Sequence, residues 1–312
     1  MRSKEFDNIL YSLRILYTTF GTIHLYRMQN KIAEIKHKKV ETILNKELYD
    51  IIEKYQKVEY ENNDRLASKH IWSFWWQGED AAPEIIKLCM ASMRANKGEF
   101  TVTVIDRNNY KEWIELPDYI LDKVNRGLIS ITHLSDIIRM ALLNKYGGVW
   151  LDATVIMLNK IEDSWLRYPY FTAKQKEKAC PIVSKYRWTG SFVIGKKRFP
   201  YYSFLMECFL EYWKNHNEMI DYFLIDYLTD IAYSTLAFYR KSFNELPENN
   251  IKMYNAALHM NEEFDYQKYK QLKECTILFK IQRRNQYIKN YKGKETLYGY
   301  LYNKYKHFQG NE

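Results

Sequence analysis

An α/β fold built on a mixed, mainly parallel sheet flanked by helices is what this sequence predicts, and three observations carry it. The run Ile71-Trp-Ser-Phe-Trp-Trp76 is aromatic and β-branched, as buried strands are. A helix-length segment follows, and Thr101-Val-Thr-Val-Ile105 then repeats the strand character, which makes a strand–helix–strand unit with a parallel pairing. Gly147-Gly148 stops a long apolar helical pattern and delivers Val149-Trp-Leu151 as a third strand.

The 312 residues suffice for a catalytic domain with a helical attachment. Hydrophobic residues at 46%, with only 11 Gly and 6 Pro, exclude a disordered or collagen-like chain. A formal net charge of +9 predicts attraction to polyanions, among them nucleic acid, anionic lipid and the pyrophosphate of a nucleotide sugar. The excess is uneven, with eight Lys or Arg against Glu177 alone in residues 174–198 and eleven against three acids in residues 266–312. Cys89, Cys180, Cys208 and Cys275 have no paired spacing, which argues against a zinc module or a disulfide framework and fits reduced thiols in the cytoplasm.

Residues 1–66 contain no proline and one glycine, and Ile9, Leu13, Leu16, Phe20 and Ile23 recur three or four apart, so a helical N-terminal extension precedes a main domain over residues 67–312. In residues 1–40 eight basic side chains face three acidic ones, with Tyr11, Tyr17 and Phe20 among them. That composition suits a helix lying on an anionic membrane surface, and it equally suits a helical hairpin packed on the main domain. Arg14 and His24 interrupt the apolar stretch, which is neither a signal peptide nor a bilayer span. Pro83, Glu84, Arg94 and Gly98 mark the start and stop of the helix after the first strand. A further helix is expected from Thr132 to Tyr146, and Val155-Ile-Met157 extends the third strand. Beyond Pro169 the pattern predicts a strand over residues 192–194 and helices over residues 201–213 and 221–239.

In open parallel sheets ligands bind beyond the carboxyl ends of the strands. Here Gln77-Gly78 follow the first strand, Asp106-Arg107-Asn108 the second and Asp152-Ala153-Thr154 the third, so distant segments converge on one edge. Asp106 is a donor-site candidate by position, against the turn-capping role that Asp ordinarily takes at a loop start. The Thr132–Tyr146 helix is apolar on nearly every side except at Asp136 and Arg139, which share a face. Burying them costs several kcal/mol, in order of magnitude, unless they pair or bind something. An ion pair explains them alone, and Asp152 on the same edge adds a reason to read a site. A carboxylate at a strand end can hold a divalent ion or a ribose hydroxyl. Neither a Gly-rich phosphate loop nor a Gly-x-Ser-x-Gly elbow occurs, and the histidines have no metal or nucleophile spacing.

The segments Ile71 to Pro83 and His133 to Thr154, with Ser135-Asp136-x-x-Arg139 followed by Gly147-Gly148-x-x-x-Asp152, resemble the bacterial capsular polysaccharide synthesis glycosyltransferases. Those enzymes are similar to the wider group of sugar transferases with an Asp-x-Asp motif. The resemblance covers residues 69–160 well and continues more weakly to about residue 300. It implies a type A glycosyltransferase fold, which is Rossmann-like, a UDP-sugar donor, and transfer with retention onto a polysaccharide or lipid-linked glycan. By matched positions it implies Trp72 and Gln77 in the nucleotide pocket, Asp136 and Arg139 on the donor sugar, and Asp152 as the first acid of the metal and ribose motif.

Thr154 stands where the wider group has a second acid, so a Mn²⁺ or Mg²⁺ ion would need Asp152 and Thr154 completed by Asp221 or Asp226. Lys280 resembles a late basic residue that meets the diphosphate, and Trp188 and Ser191 fall in the region near the acceptor. Such an enzyme would sit in the cytoplasm or on the inner face of the plasma membrane. A non-catalytic nucleic-acid-binding protein would account for the basic patches and the 16% aromatic content but leaves Asp136 and Asp152 unexplained. A glycoside hydrolase would need two carboxylates flanking the bond, for which Asp136 and Asp152 are the available pair.

Overall fold

The computed structural model describes residues 4–310 apart from 23 and 64, so Ile23 and the first three residues of the predicted extension lie outside the described residues. The strands of the central sheet and of the pair beside it are β1 (His70–Phe74), β2 (Thr101–Ile105), β3 (Gly148–Leu151), β4 (Val155–Met157), β5 (Tyr170–Thr172), β6 (Phe192–Gly195) and β7 (Leu278–Lys280). Five of them form the central sheet in the order β2-β1-β3-β6-β5. The pairings of β1 with β2 and β3 are parallel, whereas β6 runs antiparallel to both β3 and β5. The sheet is therefore mixed but not mainly parallel. Antiparallel neighbours need no helical crossover, and β5 and β6 are joined through a loop.

The expected extension of β3 through Val155–Met157 does not form. The chain turns at Asp152-Ala153-Thr154, where the Val155 amide donates to the Asp152 carbonyl at 2.9 Å, and β4 pairs instead with β7 in a separate two-stranded sheet. That turn lifts Asp152 clear of the strand. The helix expected over residues 221–239 is two helices, Leu224–Thr235 and Ala237–Asn244, separated by Leu236 in extended conformation.

Helix Ile131–Tyr146 packs between the sheet and helix Pro200–Asn215. The Ser130 hydroxyl caps its start by accepting from the His133 amide at 3.2 Å. Its end is set by Gly147 and Gly148, with φ of 69° and 102°. A Cβ on Gly148 would lie 2.5 Å from the His70 carbonyl oxygen, because β1 and β3 approach closely there.

The N-terminal helices are Lys4–Thr22, Tyr26–Glu47 and Tyr49–Gln56. The second and third lie against helices Pro200–Asn215 and Leu224–Thr235. Several polar links join this extension to the main domain. Lys36 Nζ pairs with Asp221 Oδ2 at 3.0 Å, the aspartate buried and the lysine partly so, His37 Nδ1 meets the Tyr227 hydroxyl at 2.6 Å, and Arg14 Nη2 donates to the Ile220 carbonyl at 2.6 Å. Among the described residues no helix is long and apolar enough to cross a membrane.

Since a positive φ and a close backbone approach coincide at Gly148, Gly148→Ala should cost about 2 kcal/mol or more, a fall in Tm of roughly 5 °C. Thermal unfolding followed by circular dichroism measures it, and an unchanged midpoint would show that β1 and β3 can separate freely.

Candidate active site

A cleft of about 930 Å³ opens at the carboxyl ends of β1 and β3, where the strand order reverses direction about β1. Trp75, Trp76 and Gln77 enter it just after β1 and Asp152 to Thr154 just after β3. Thr189 to Ser191 arrive ahead of β6, whose antiparallel course starts at this same edge, and Lys280 arrives at the end of β7. Helix Ile131–Tyr146 contributes Asp136 and Arg139. The opposite wall comes from Met219, Tyr222, Phe223, Asp226 and Tyr254.

The charged groups form a continuous chain. Arg139 Nη2 lies 3.1 Å from Asp136 Oδ1 and 3.3 Å from Asp152 Oδ1, and its guanidinium stands over the Trp150 ring at 5.0 Å. Trp150 Nε1 donates to the same Asp152 oxygen at 2.8 Å. Lys280 Nζ donates to Asp152 Oδ2 at 2.7 Å and to the Thr154 hydroxyl at 2.6 Å. Behind Asp136, His133 Nε2 accepts from Trp213 Nε1 at 2.8 Å, which turns Nδ1 toward Asp136 Oδ2 at 3.5 Å. Gly190 has no side chain because Arg139 Nη1 would lie 2.5 Å from its Cβ.

These contacts set the ionisation of the acids. Burial acts to raise the Asp152 carboxyl, but the charges of Lys280 and Arg139 and the hydrogen bonds from Lys280 and Trp150 outweigh it and hold the group below its ordinary value. At Asp226 burial prevails. Its carboxyl is pushed up to about 6, with the Asp136 and Asp230 charges adding to the effect while a 2.8 Å bond from Trp188 Nε1 and the Arg139 charge oppose it. Arg139, Lys280, Arg283 and Arg284 face Asp136, Asp152 and Asp226 in the lining, leaving one excess positive charge for an anionic ligand.

The structure brings together Asp136, Arg139, Asp152, Thr154, Lys280, Gln77, Ser191 and Asp226. It does not bring Trp72 there. Trp72 is 1% exposed, stacks on His70 at 3.7 Å and donates from Nε1 to the Gly147 carbonyl at 2.9 Å, so it is a core residue of the β1–β3 contact rather than a pocket wall. Asp106 is a turn residue outside the cleft lining, accepting from the Asn108 and Asn109 amides at 2.7 and 3.0 Å. Trp188 is buried and reaches the site only through Asp226. Asp221 is spent on Lys36 and on the Phe223 amide. Trp75, Trp76, Tyr222, Tyr254, Arg283 and Arg284 line the cleft and were not singled out from sequence. The adjacent pair Trp75-Trp76 at a strand end and the pair Arg283-Arg284 just beyond β7 were the available signals.

A divalent ion does not fit the residues in place. Both Asp152 oxygens already accept from nitrogen donors, and the Lys280 ammonium bridges Asp152 and Thr154, the two positions meant to hold the ion. The third expected ligand, Asp226, is engaged by Trp188. Among the described residues no three His, Cys, Asp or Glu side chains are grouped so as to hold a metal. The basic 174–198 segment is also less free than its composition suggested. Lys174 donates to the Phe243 and Leu246 carbonyls, Lys196 to Asn62 and Asn63, and Arg187 pairs with Asp230 at 2.7 Å.

Comparison with known proteins returns glycosyltransferases. The chain is 31% identical over 108 residues to the O-glycosyltransferase PaGT of Phomopsis amygdali, covering 32% of this chain and 27% of that protein. It is 25% identical over 201 residues to the probable glycosyltransferase FCK3 of Fusarium pseudograminearum, covering 61% of this chain and 49% of that one. The chain thus spans between about a quarter and a half of the length of these curated relatives. A solved PaToxG glycosyltransferase aligns at 14% identity and a TM-score of 0.37, over 68% of this chain and 83% of that chain, a likeness too distant to carry the fold assignment. The curated relatives it matches are glycosyltransferases by name. The chain itself belongs to the capsular polysaccharide synthesis protein family, whose sequence profile matches residues 22–301.

The raised Asp226 carboxyl makes a signed prediction. A folded-state value above the unfolded one gives stability that is present below about pH 4 and is lost as pH rises through about 6. Asp226→Asn keeps an acceptor for Trp188 and removes that loss. Its Tm should therefore exceed the parent's by a few degrees at pH 8 and come close to it near pH 3.5, and equal shifts at both values would contradict the assignment.

Proposed function

We propose that this chain transfers a hexose from a UDP-sugar, with retention of configuration, to a saccharide or lipid-linked glycan acceptor in the synthesis of a surface polysaccharide. We read the main domain as a type A glycosyltransferase fold. The single observation that carries the proposal is the charged chain Asp136–Arg139–Asp152–Lys280 running from a buried helix into an open cleft at the strand ends. A sealed structural ion pair would not need Lys280 and two further arginines at its open end.

In this reading Lys280, Arg283 and Arg284 face the diphosphate, and Asp136 with Arg139 holds the sugar hydroxyls. The bond from the anomeric carbon to the phosphate oxygen breaks while the acceptor oxygen bonds to the same face of that carbon. The acceptor's proton passes to the departing phosphate oxygen. Fixed positive groups aimed at charge that grows during the reaction act more strongly in such a recess than in water. Gln77, Trp75 and Trp76 of the lining are assigned to the uracil ring, and Tyr222, Tyr254 and Ser191 of the same lining to the acceptor.

Asp152→Asn preserves shape but cannot hold Arg139 and Lys280 as a carboxylate does. Hydrolysis of a panel of UDP-sugars should fall by at least about 100-fold in this variant, with an unchanged circular dichroism spectrum. Retained turnover would remove the assigned role.

We also read the N-terminal extension as the part that meets an anionic membrane on the cytoplasmic side. What supports this is that Tyr11, Ile15 and Leu16 of helix Lys4–Thr22 are exposed, with Arg27 and Lys31 exposed at the start of the next helix. Replacing Tyr11, Ile15 and Leu16 together by Ser should reduce pelleting with phosphatidylglycerol vesicles and leave UDP-sugar hydrolysis unchanged. Undiminished pelleting would end the membrane reading.

A further inference from the structure

We infer that Lys280 takes the place of a divalent cation in this enzyme, so that the nucleoside diphosphate is bound and the sugar released without a metal ion. The inference rests on the reading of the cleft as a UDP-sugar site.

The argument starts from the donor set. An oxygen-seeking cation such as Mg²⁺ needs unoccupied oxygen ligands at about 2.0–2.1 Å in near-octahedral array, usually including one or two carboxylates. The strand-end turn offers one carboxylate, Asp152, and one hydroxyl, Thr154. The ammonium of Lys280 is hydrogen-bonded to both at 2.7 and 2.6 Å, and the other Asp152 oxygen is occupied by Trp150 and Arg139. Asp226 is held by Trp188.

The placement of Lys280 is built into the backbone. In the β4–β7 pairing Lys280 sits opposite Val155, one residue beyond Thr154. The Ile281 amide donates to the Thr154 carbonyl at 3.0 Å and the Lys280 amide to the Met253 carbonyl at 2.8 Å, so the stem is fixed on both sides. The side chain remains 24% exposed, toward the cleft. An ammonium carries three donors. Two are used on Asp152 and Thr154, and the third is left for a phosphate oxygen, the contact a metal would otherwise make.

The chemistry balances without a metal. As the carbon–oxygen bond to the diphosphate breaks, the electron pair stays on the phosphate oxygen, and the charge that develops is met by Lys280 with Arg283 and Arg284 at the same wall. Thr154, in the position where an acid would bring a metal, instead accepts from the lysine and adds no negative charge for it to neutralise.

UDP binding to the full-length chain tests this by isothermal titration, in EDTA and in Mn²⁺, with Mn²⁺ binding to the protein alone followed by electron paramagnetic resonance. The expected result is a UDP affinity that agrees within twofold in the two buffers and no Mn²⁺ bound in the absence of nucleotide. Lys280→Met should weaken UDP binding in EDTA by tenfold or more, and Lys280→Arg, which keeps the charge, should restore part of it. Recovery of Lys280→Met by Mn²⁺ would support the substitution of one cation by the other. UDP binding to the parent chain that appears only with Mn²⁺, or that falls tenfold in EDTA, would overturn the inference and leave the UDP-sugar reading standing. No UDP binding under any condition would overturn both.

Discussion

A guanidinium buried between two carboxylates, that of Arg139 between Asp136 and Asp152, is the interaction on which the rest of the site depends. Arg139 is 4% exposed on a helix that is apolar through most of its length. A charge so placed is tolerated only while its partners remain, and removing one partner of a buried pair typically costs about 3–5 kcal/mol. The pairing therefore fixes how the Ile131–Tyr146 helix lies against β3, and with it the direction in which the Asp152 turn points. Gly190 and Trp150 complete the enclosure, one by having no side chain and the other by presenting its ring face. Geometry at the open end of the cleft is thus inherited from an electrostatic requirement at its closed end.

Much of this was legible in the sequence because the informative residues broke a pattern. Asp136 and Arg139 were visible as the charges in the middle of an apolar helix, and Asp152 as the acid that interrupts an apolar run after two glycines. The first three strands and two of the helices between them, Glu84–Asn96 and Ile131–Tyr146, followed from the same contrast of periods, whereas the short helices Tyr110–Trp113 and Asp118–Asn125 did not. Trp72, Trp75 and Trp76 could not be told apart in that way. Side chains on a strand alternate between faces, so a run of aromatic residues says only that burial occurs on both sides. Where the strand ends decides the rest: β1 stops at Phe74, which leaves Trp72 in the core and lets Trp75 and Trp76 turn into the cleft. The reversed course of β5 and β6 was hidden for a related reason, since a strand's pattern carries no direction. Trp188 and Asp106 were placed near the site by sequence neighbourhood, yet each spends its polar atoms on a structural bond.

The charge of the chain teaches a complementary point. An excess of basic residues suggested two polyanion-binding patches, but in residues 174–198 several of those side chains satisfy carbonyls and carboxylates of the main domain. Lys196, at 5% exposure, is as internal as many apolar residues. What counts for ligand binding is the small set that converges without being used up. At the cleft that set is Lys280, Arg283 and Arg284, drawn from the other basic stretch, and only together with Arg139 do they outnumber the three local acids, by one charge.

The two bonds that tether the Met219–Phe223 loop to the N-terminal helices carry a consequence of their own. Asp221 and the Ile220 carbonyl are gripped from behind by Lys36 and Arg14, while their neighbours Met219, Tyr222 and Phe223 form a wall of the cleft. The loop is therefore anchored from outside the main domain. One face of it is set by the N-terminal helices and the other shapes the cleft, so the seating of the extension and the form of that wall share the same few residues.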